Sequence, residues 1–382
     1  MDILVLTPDY PPSLYGGIGT YVYNLYKNFT NDSITVFVAP FGRTVANVTS
    51  IANVTSSCTK NQDIILCNVM GNKFSFKNQY YLFWASYNEI LFDKIVSFMD
   101  RTGKRFDILH ANGSYFALLA DALRSKYGMK VVYTKHGIND YPLDQDYVAD
   151  LFLSLHSDYI VCPSKWISDE IKRIYPEVTT PKSVIPNGVS LMSGLITMQG
   201  KQKIILYCGR LSYSKGCDIL LNAISVIQEF LRDRKFRVIV IGDGPEKENL
   251  LKMSKALQIF DLVCFKGAMV HEEVIKWMCE ADICVIPSRK EGFGLVALEA
   301  MSCGCCVIAS NTGGLKETIH TNVNGLLFNG SHYPALSECI ERVIEDSLFK
   351  MALKQNASTF VRQFPWSNTA DKMRRVYELL CP

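Results

Sequence analysis

Short runs of β-branched and apolar residues alternate with longer segments of helical periodicity along most of the chain. Strands that alternate with helices in this way predict βαβ units and parallel sheets. In the first half we predict strands at Ile3–Leu6, Ile34–Ala39, Ile64–Val69, Ile108–Ala111, Val131–Thr134 and Tyr159–Val161. Helical patterns separate most of them, at Thr20–Phe29, Tyr80–Met99 and Tyr115–Tyr127.

The second half restarts the same rhythm. Its predicted strands are Ile204–Cys208, Arg237–Ile241, Val263–Lys266, Ile283–Ile286, Cys306–Ala309 and Gly325–Phe328, and its predicted helices are Cys217–Phe230, Lys247–Leu257, Glu272–Cys279 and Leu295–Ser302. The segment from Ile185 to Gly200 contains Pro, Gly and Ser with little periodicity, which predicts a linker. We therefore expect two α/β domains whose strands place their carboxyl ends around a cleft.

The amino-acid composition is typical of such a protein and argues against nucleic acid as a partner. Of the 382 residues, 48% are hydrophobic and 20% are charged, which suits globular domains with large buried sheets. A formal net charge of +3 is too small to indicate nucleic acid as a partner. No uninterrupted apolar run reaches the roughly 18 residues of a transmembrane helix. The 13 cysteines are expected to be mostly free and buried, as in a reducing cytoplasmic compartment.

The run from Glu291 to Glu299 is the most informative stretch of the chain. Two carboxylates bracket the turn Gly292–Gly294 and an apolar helical segment, directly after the predicted strand Ile283–Ile286. A helix N-terminus at this place offers free backbone N–H groups and a partial positive charge to a phosphate. The alternative interpretation is a buried helix with a capping glutamate.

A basic loop follows the first predicted strand of the second half and carries Arg210 and Lys215. Arginine binds phosphate oxygens through two N–H groups and lysine adds a mobile point charge, so the loop suits a diphosphate. A solvated basic loop is the alternative. The turn Gly242–Pro245 ends the next strand and is interpreted as structural.

Two features of the first half also point to a ligand. Gly16 and Gly17 precede a predicted helix, where glycines let the backbone approach a ligand closely. Their loop does not match the dinucleotide-binding fingerprint, because three prolines intervene and the glycine spacing differs. His110 and His136 each end a predicted strand, and we favour His136 as the cleft-facing one because Gly137 follows it.

Taken in order, these motifs resemble those of the retaining glycosyltransferases of family 4, also called group 1, which have the GT-B fold. The resemblance covers nearly the whole chain and rests on Tyr15–Gly19, Thr134–Gly137, Ile185–Val189, Gly209–Gly216, Gly242–Pro245, Glu291–Met301 and Gly313–Gly314. It implies an acceptor-side Rossmann-like domain at residues 1–187 and a nucleotide-sugar-binding one at 188–365. Residues 366–382 would form a helix that crosses back to the first domain.

The resemblance also implies a role for each candidate residue. Glu291 and His136 would contact the transferred sugar, and Arg210 and Lys215 would stabilise the leaving diphosphate; these four form the implied catalytic set. Glu299 would bind the ribose hydroxyls. The other implied donor contacts are Gly16, Gly17, Gly267, Phe293, Gly294 and Leu295.

The implied activity is transfer of a hexosyl unit from a UDP- or GDP-linked sugar to a hydroxyl of a glycan, lipid-linked or small-molecule acceptor. We expect no metal or other cofactor, because the basic loop and the helix N-terminus can meet the charge of the diphosphate. Asp144-Gln-Asp146 falls in a predicted helix rather than at a strand end, and Cys303, Cys305 and Cys306 have no paired Cys/His run.

Other functions are compatible with the same fold: the chain could be a nucleotide-sugar epimerase, a phosphorylase-like enzyme or a non-catalytic protein that binds sugar nucleotides. Two positions depart from the family pattern, where Ser190 replaces the usual aspartate and Asn112 a frequent second histidine. The aromatic segment Tyr80–Tyr87 could face a glycan or a lipid and allow peripheral membrane contact at the inner face. Burial in the core is favoured, because helical aromatic residues are usually buried.

Overall fold

The computed structural model describes residues 1–11, 16–39, 62–67, 80–138, 145–192 and 202–382. The chain divides into two compact units, one formed by residues 1–188 with 366–382 and the other by residues 189–365. The boundary between them falls within the predicted linker, of which residues 193–200 lie outside the described ranges.

The first unit is built on a parallel sheet. Its strands are β1 (Asp2–Thr7), β2 (Ser33–Val38), β3 (Gln62–Leu66), β4 (Ile108–Ala111), β5 (Lys130–Thr134), β6 (Tyr159–Cys162) and β7 (Lys182–Val184). Its helices before the linker are α1 (Gly17–Tyr26), α2 (Tyr80–Thr102), α3 (Ala117–Tyr127), α4 (Gln145–His156) and α5 (Lys165–Ile174). The strand order is β3-β2-β1-β4-β5-β6-β7.

The second unit repeats this architecture. Its strands are β8 (Gln202–Cys208), β9 (Arg237–Ile241), β10 (Val263–Gly267), β11 (Ala281–Ile286), β12 (Cys306–Ser310) and β13 (Leu326–Phe328), in the order β10-β9-β8-β11-β12-β13. Its helices are α6 (Cys217–Val226), α7 (Gln228–Arg234), α8 (Lys247–Ala256), α9 (His271–Glu280), α10 (Leu295–Ser302), α11 (Leu315–Thr318), α12 (Tyr333–Glu345) and α13 (Ser347–Val361). Both units therefore have the Rossmann-like strand order, which confirms the predicted α/β class.

The strand order reverses beside β1 in the first sheet and beside β8 in the second. At such a switch point, neighbouring connections leave on opposite faces of the sheet and open a crevice at the carboxyl ends of the strands. Every residue of β11, next to β8, is buried, which explains why its sequence is apolar from Ile283 to Ile286; the buried Asp282 is paired with Lys350 and Lys354. The fold thus directs the loops after β8 and β11 to one place.

The last helix, α14 (Trp366–Leu380), belongs to the first unit; it begins at the predicted residue and ends at Leu380 rather than at residue 382. The Tyr377 hydroxyl is buried 2.6 Å from the Tyr26 hydroxyl of α1. Gly188 meets the start of α14 so closely that an added Cβ would lie 2.6 Å from Trp366 Cα. Buried hydrogen bonds and backbone contact thus attach the C-terminal helix to the first unit.

Several predicted elements differ from those observed. The single helix predicted at Cys217–Phe230 is wrong, because Ile227 has non-helical φ and ψ of −109° and 22° and separates α6 from α7. Val226 and Ile227 are β-branched, and such residues favour helices poorly. Helix α1 begins at Gly17 rather than Thr20, since Gly16 is extended and serves as its N-cap. Val69, the predicted end of the third strand, lies outside the described residues.

Candidate functional site

Three loops meet at the switch point of the second sheet, after β8, β11 and β12. The Arg289 N–H donates to Ser214 O at 2.8 Å and thereby joins the loops after β11 and β8. The Gly314 N–H donates to Glu291 O at 2.9 Å and joins the loops after β12 and β11. Backbone hydrogen bonds therefore hold the three loops together as one surface.

Glycines make this close approach possible. Gly216 has a φ of +66°, and a Cβ there would lie 2.0 Å from Pro287 O. Gly313 has a φ of +50°, and its Cβ would lie 2.0 Å from Glu291 O. No other residue fits either position without moving the neighbouring loop.

Lys215 and Glu291 come together at the centre of this surface. Lys215 Nζ lies 2.7 Å from Glu291 Oε2, and the Ser288 hydroxyl donates to the same oxygen at 3.3 Å. Arg210 is exposed, and its guanidinium forms no hydrogen bond or ion pair within the part of the chain that the structure describes. The site thus contains a carboxylate already paired with a lysine and an arginine open to a ligand.

Helix α10 continues from this surface. Its N-cap Gly294 has a φ of +90°, and a Cβ there would lie 2.6 Å from Leu315 Cδ2, so the turn before the helix requires glycine. Phe293 is buried beneath the turn. The Ala297 N–H donates to Gly294 O at 2.9 Å, whereas the N–H groups of Leu295 and Val296 precede this first bond of the helix and suit an anion.

Glu299 lies in the middle of α10 and is only 8% exposed. Burial raises the pKa of this carboxyl to about 8. The ionisable side chain of His271, at the start of α9, lies beside this carboxyl, with Nε2 3.6 Å from Glu299 Oε1. Burial also lowers the pKa of His271, so both groups are mainly neutral near pH 7 in the absence of a ligand.

Gly267 and the turn Gly242–Pro245 lie at the ends of the neighbouring strands. Gly267 has a φ of +77° with open space beside it, so its glycine is required by backbone conformation and not by crowding. Gly242 and Gly244 pack against the loop after β8, where added Cβ atoms would lie 1.9 Å from Gly209 O and 2.4 Å from Leu211 O. This packing supports the structural interpretation of the turn.

In the first unit, Gly16 and Gly17 form the start of α1. A Cβ at Gly16 would lie 2.9 Å from Asp9 Oδ2, whereas a Cβ at Gly17 would meet nothing within 4 Å. Burial raises the pKa of Asp9 to about 7, and sequence reasoning missed this residue because it stands alone among prolines. Tyr15, the first residue of the motif, lies outside the described residues.

His136 and His110 differ in their surroundings. His136 is half-buried, packs edge-to-face on Tyr21 with ring centroids 4.8 Å apart, and places Nε2 3.2 Å from Asn112 Oδ1. His110 is fully buried, with Nδ1 2.5 Å from the Tyr26 hydroxyl and Nε2 2.6 Å from the Thr134 hydroxyl. Burial lowers the pKa of each imidazole to about 3, so both are neutral at physiological pH. Both ring nitrogens of His110 are occupied, which fits a structural role.

Asn112 and Ser190, the two departures from the family pattern, have different environments. Asn112 is buried and its amide oxygen faces His136, so it can fix the imidazole tautomer with the proton on Nε2. Ser190 is exposed, and its carbonyl accepts a hydrogen bond from the Ser302 hydroxyl at 2.9 Å. The Asn112 side chain therefore contacts His136. The contact of Ser190 with Ser302 uses the Ser190 backbone carbonyl and does not depend on its side chain.

Sequence reasoning also missed Arg289, which lies in the loop after β11. Its guanidinium donates to both carboxylate oxygens of Asp218, at 2.8 and 2.6 Å, and to Tyr213 O at 2.7 Å. A basic residue two positions before Glu291 was the available signal. The partner could not be identified, because Asp218 is 71 residues away in the chain.

The remaining features of the sequence are accounted for without a ligand. Cys303, Cys305 and Cys306 are buried free thiols, and the described residues contain no cluster of His, Cys, Asp or Glu arranged to hold a metal. Trp84 and Tyr87 of the aromatic segment are buried, as favoured. Within the described ranges, no helix is both long and apolar enough to cross a bilayer.

Known proteins resemble this chain over nearly its whole length. The family model described as Glycosyltransferase Family 4 matches residues 15–192, and that described as Glycosyl transferases group 1 matches residues 196–360. A glycosyltransferase of Methanocaldococcus jannaschii is 26% identical over 402 residues, covering 99% of this chain and 98% of the relative. Sucrose-phosphate synthase from Thermosynechococcus elongatus has a TM-score of 0.80 at 21% identity, covering 99% of this chain and 98% of the other.

HepE of Anabaena, solved in complex with UDP-glucose, has a TM-score of 0.73 at 18% identity and covers 99% of both chains. At these identities the solved structures establish the fold, which is GT-B. The two family models together span nearly the whole chain and include every candidate site residue named above from Gly16 to Glu299. The chain is therefore a glycosyltransferase and belongs to family 4, within the glycosyl transferases group 1.

Proposed function

We propose that this enzyme transfers a hexosyl unit from a UDP- or GDP-linked sugar, with retention of configuration and without a metal, to a hydroxyl of a glycan, lipid-linked or small-molecule acceptor. The observation that carries the proposal is the pairing of Lys215 with Glu291 at 2.7 Å, beside the N-terminus of α10. A group suited to phosphate and a group suited to sugar hydroxyls then lie side by side, which supports the proposal. The complex of HepE with UDP-glucose supports a nucleotide sugar as donor.

Leaving-group stabilisation is the main catalytic requirement. As the bond between the anomeric carbon and the diphosphate breaks, negative charge grows on the phosphate oxygens. Lys215 and Arg210 supply two positive charges, and the first turn of α10 supplies backbone N–H groups. Lys215 is held by its pair with Glu291 and the N–H groups by the helix, so these groups are in place before the reaction begins and can stabilise the developing charge without a metal ion.

Glu291 is assigned to the sugar as a binding group rather than a nucleophile. Its Oε2 is already engaged by Lys215 and Ser288, so the diphosphate must take over part of the Lys215 interaction when the donor binds. In retaining transfer the acceptor approaches from the face that the diphosphate leaves, through a short-lived oxocarbenium-like ion pair. A carboxylate that binds the sugar hydroxyls orients the donor for this step.

Glu299 is assigned to the ribose hydroxyls. A buried carboxyl with free hydrogen-bonding capacity suits a diol, and its ionised form is the stronger acceptor. In the first unit we assign Gly16, Gly17 and His136 to the donor, following the family pattern. The neutral imidazole of His136 can hydrogen-bond a sugar hydroxyl without adding charge.

Release of nucleoside diphosphate from UDP-, GDP- and ADP-sugars, with and without a mixture of glycan acceptors, tests the proposal. We expect acceptor-dependent release that persists in EDTA and a product with the anomeric configuration of the donor. Lys215→Met should abolish release. Its matched control is Lys104→Met, because Lys104 forms an ion pair of the same length, 2.7 Å, with Asp63 in the first unit.

Four outcomes would contradict the proposal. Net conversion of a donor to its epimer without an acceptor would identify an epimerase instead. Loss of all turnover in EDTA would refute metal independence, and inversion at the anomeric carbon would refute retention. Absence of release from every donor would leave a binding protein as the better description.

A further inference from the structure

Arg289 occupies an unusual place among the charged residues of the site, because it contacts the basic loop on both sides of Lys215. Its Nη1 donates to Tyr213 O at 2.7 Å, two residues before Lys215. Its two terminal nitrogens donate to the two oxygens of Asp218, three residues after Lys215. The guanidinium also stacks on the Tyr213 ring, 3.9 Å from the centroid.

The backbone of Arg289 is fixed as firmly as its side chain. Its N–H donates to Ser214 O at 2.8 Å, and its carbonyl accepts from the Thr312 hydroxyl at 3.1 Å. Glu291 follows two residues later, so any displacement of Arg289 would be transmitted to the carboxylate over a very short length of chain. The two halves of the Lys215–Glu291 pair are thus connected through one residue.

Charge argues that Arg289 does not bind a phosphate itself. The Asp218 carboxylate neutralises the Arg289 guanidinium through a bidentate ion pair. The Arg289 side chain is 19% exposed and that of Asp218 is 33% exposed. Asp218 lies in the first turn of α6, where the helix dipole favours an acidic residue and helps to fix its position. Arg210 differs in being exposed and without a side-chain partner among the described residues.

We propose that Arg289 is a positioning residue for sugar transfer, which sets the placement of Lys215 relative to Glu291 by holding Tyr213 and Asp218. This inference rests on the proposed function. Arginine is required because only its planar fork can bind a carboxylate with two N–H groups and reach a carbonyl at the same time. Lys215 and Glu291 are 76 residues apart in the chain, so the contacts of Arg289 with the basic loop help to fix the distance between them.

The test compares Arg289→Met, Asp218→Asn, the double variant and Arg289→Lys in the nucleoside diphosphate release assay. We expect each of the first two to lower kcat at least about tenfold with a smaller change in donor KM, since misplacement of reacting groups is costly. The double variant should be no slower than either single variant, because both changes break the same connection. Arg289→Lys should be intermediate, since lysine keeps the charge and loses the fork.

Arg232→Met is the matched control. Arg232 forms the same kind of bidentate pair, with Asp261 at 3.1 and 3.0 Å, but at the amino end of the second sheet. Its loss should lower stability by less, because the pair is more exposed, and should leave kcat unchanged. Urea unfolding of all variants separates lost folding from lost positioning, and Asp218→Asn and Arg289→Lys keep the test open if Arg289→Met fails to fold.

Two results would overturn the inference. If Asp218→Asn keeps or raises wild-type kcat, the freed guanidinium acts on the diphosphate directly. If the two single effects multiply in the double variant, Arg289 and Asp218 act separately. Failure of the proposed function is distinguishable from both, because the wild-type chain would then release no nucleoside diphosphate, and the inference would fall with it.

Discussion

Glu299 offers a physical test that depends on burial alone and not on knowledge of the substrate. The perturbation is Glu299→Gln, which keeps the shape of the side chain and removes its ionisation. In the folded chain burial raises the pKa of Glu299 from 4.5 to about 8. Since the folded pKa lies above the unfolded one, the carboxyl disfavours folding wherever the unfolded chain is ionised and the folded chain is not.

The sign and size of the effect follow from this difference. Below pH 4.5 the carboxyl is neutral in both states and does not affect stability. As the pH rises towards about 8, the unfolded chain loses a proton that the folded chain keeps, so the free energy of unfolding falls. A difference between 4.5 and about 8 corresponds to a loss of ~5 kcal/mol, of which roughly 2 kcal/mol develops above pH 6.5.

The free energy of unfolding of Glu299→Gln should therefore equal that of the wild type near pH 4.5. As the pH rises towards about 8, the variant should become progressively more stable than the wild type. Urea unfolding of protein labelled with 5-fluorotryptophan can follow the second unit separately by fluorine NMR. Trp277 is the one tryptophan that the sequence places at residues 189–365, so its resonance reports the unit that contains Glu299.

Other titrating groups do not obscure this test. His110 and His136 have pKa values lowered to about 3, so they reduce stability only as the pH falls below about 6.5 and they do so equally in both proteins. His271 lies 3.6 Å from Glu299, so the comparison is repeated in a His271→Gln background. A stability difference that is flat between about pH 5 and pH 8.5 would refute the assigned pKa. A flat difference would mean that the folded carboxyl is already ionised throughout this range.

Three further changes test the packing around the two units. Gly314→Ala should destabilise the second unit and reduce turnover, because its Cβ would lie 2.4 Å from Gly292 O; the unfolding midpoint and kcat measure both effects, and unchanged values would refute the close approach. Tyr377→Phe should cost about 1 kcal/mol in urea unfolding, since the hydroxyl is buried between hydrogen-bonding partners, and a neutral result would show that it does not anchor α14. Asp150→Ala should cost about 3–5 kcal/mol by leaving the Lys135 ammonium buried without its partner, and a loss below about 1 kcal/mol would show that water reaches the lysine.

The second sheet could be predicted well because its central strands are buried on both faces. Ile283–Ile286 of β11, Ile204–Cys208 of β8 and Cys306–Ala309 of β12 are continuous apolar runs, so these strands could be located from the sequence pattern. The short edge strand β7 could not be found, because Lys182 and Ser183 are half-buried and Val184 is exposed. Edge strands carry little hydrophobic signal even when they complete a sheet.

The candidate site was predictable residue by residue but not as a set of contacts. Local sequence placed Lys215 on a glycine loop and Glu291 at a helix start, yet the ion pair between them joins residues 76 apart. Arg289 was not predicted for the same reason, because its proposed role depends on Asp218, which lies 71 residues away in the chain. Long-range pairing of charges is decided by which loops the fold brings together, and periodicity does not report it.

The most direct test of the account is calorimetric titration of UDP, GDP and ADP into the whole chain in the presence of EDTA. We predict that UDP or GDP binds to a single site. Lys215→Met should weaken that binding at least about tenfold, because it removes a charged hydrogen bond to the diphosphate. Lys104→Met should leave the affinity unchanged. Absence of binding by every nucleotide, or equal binding by the wild type and Lys215→Met, would contradict the assignment of the donor site to the loops after β8 and β11.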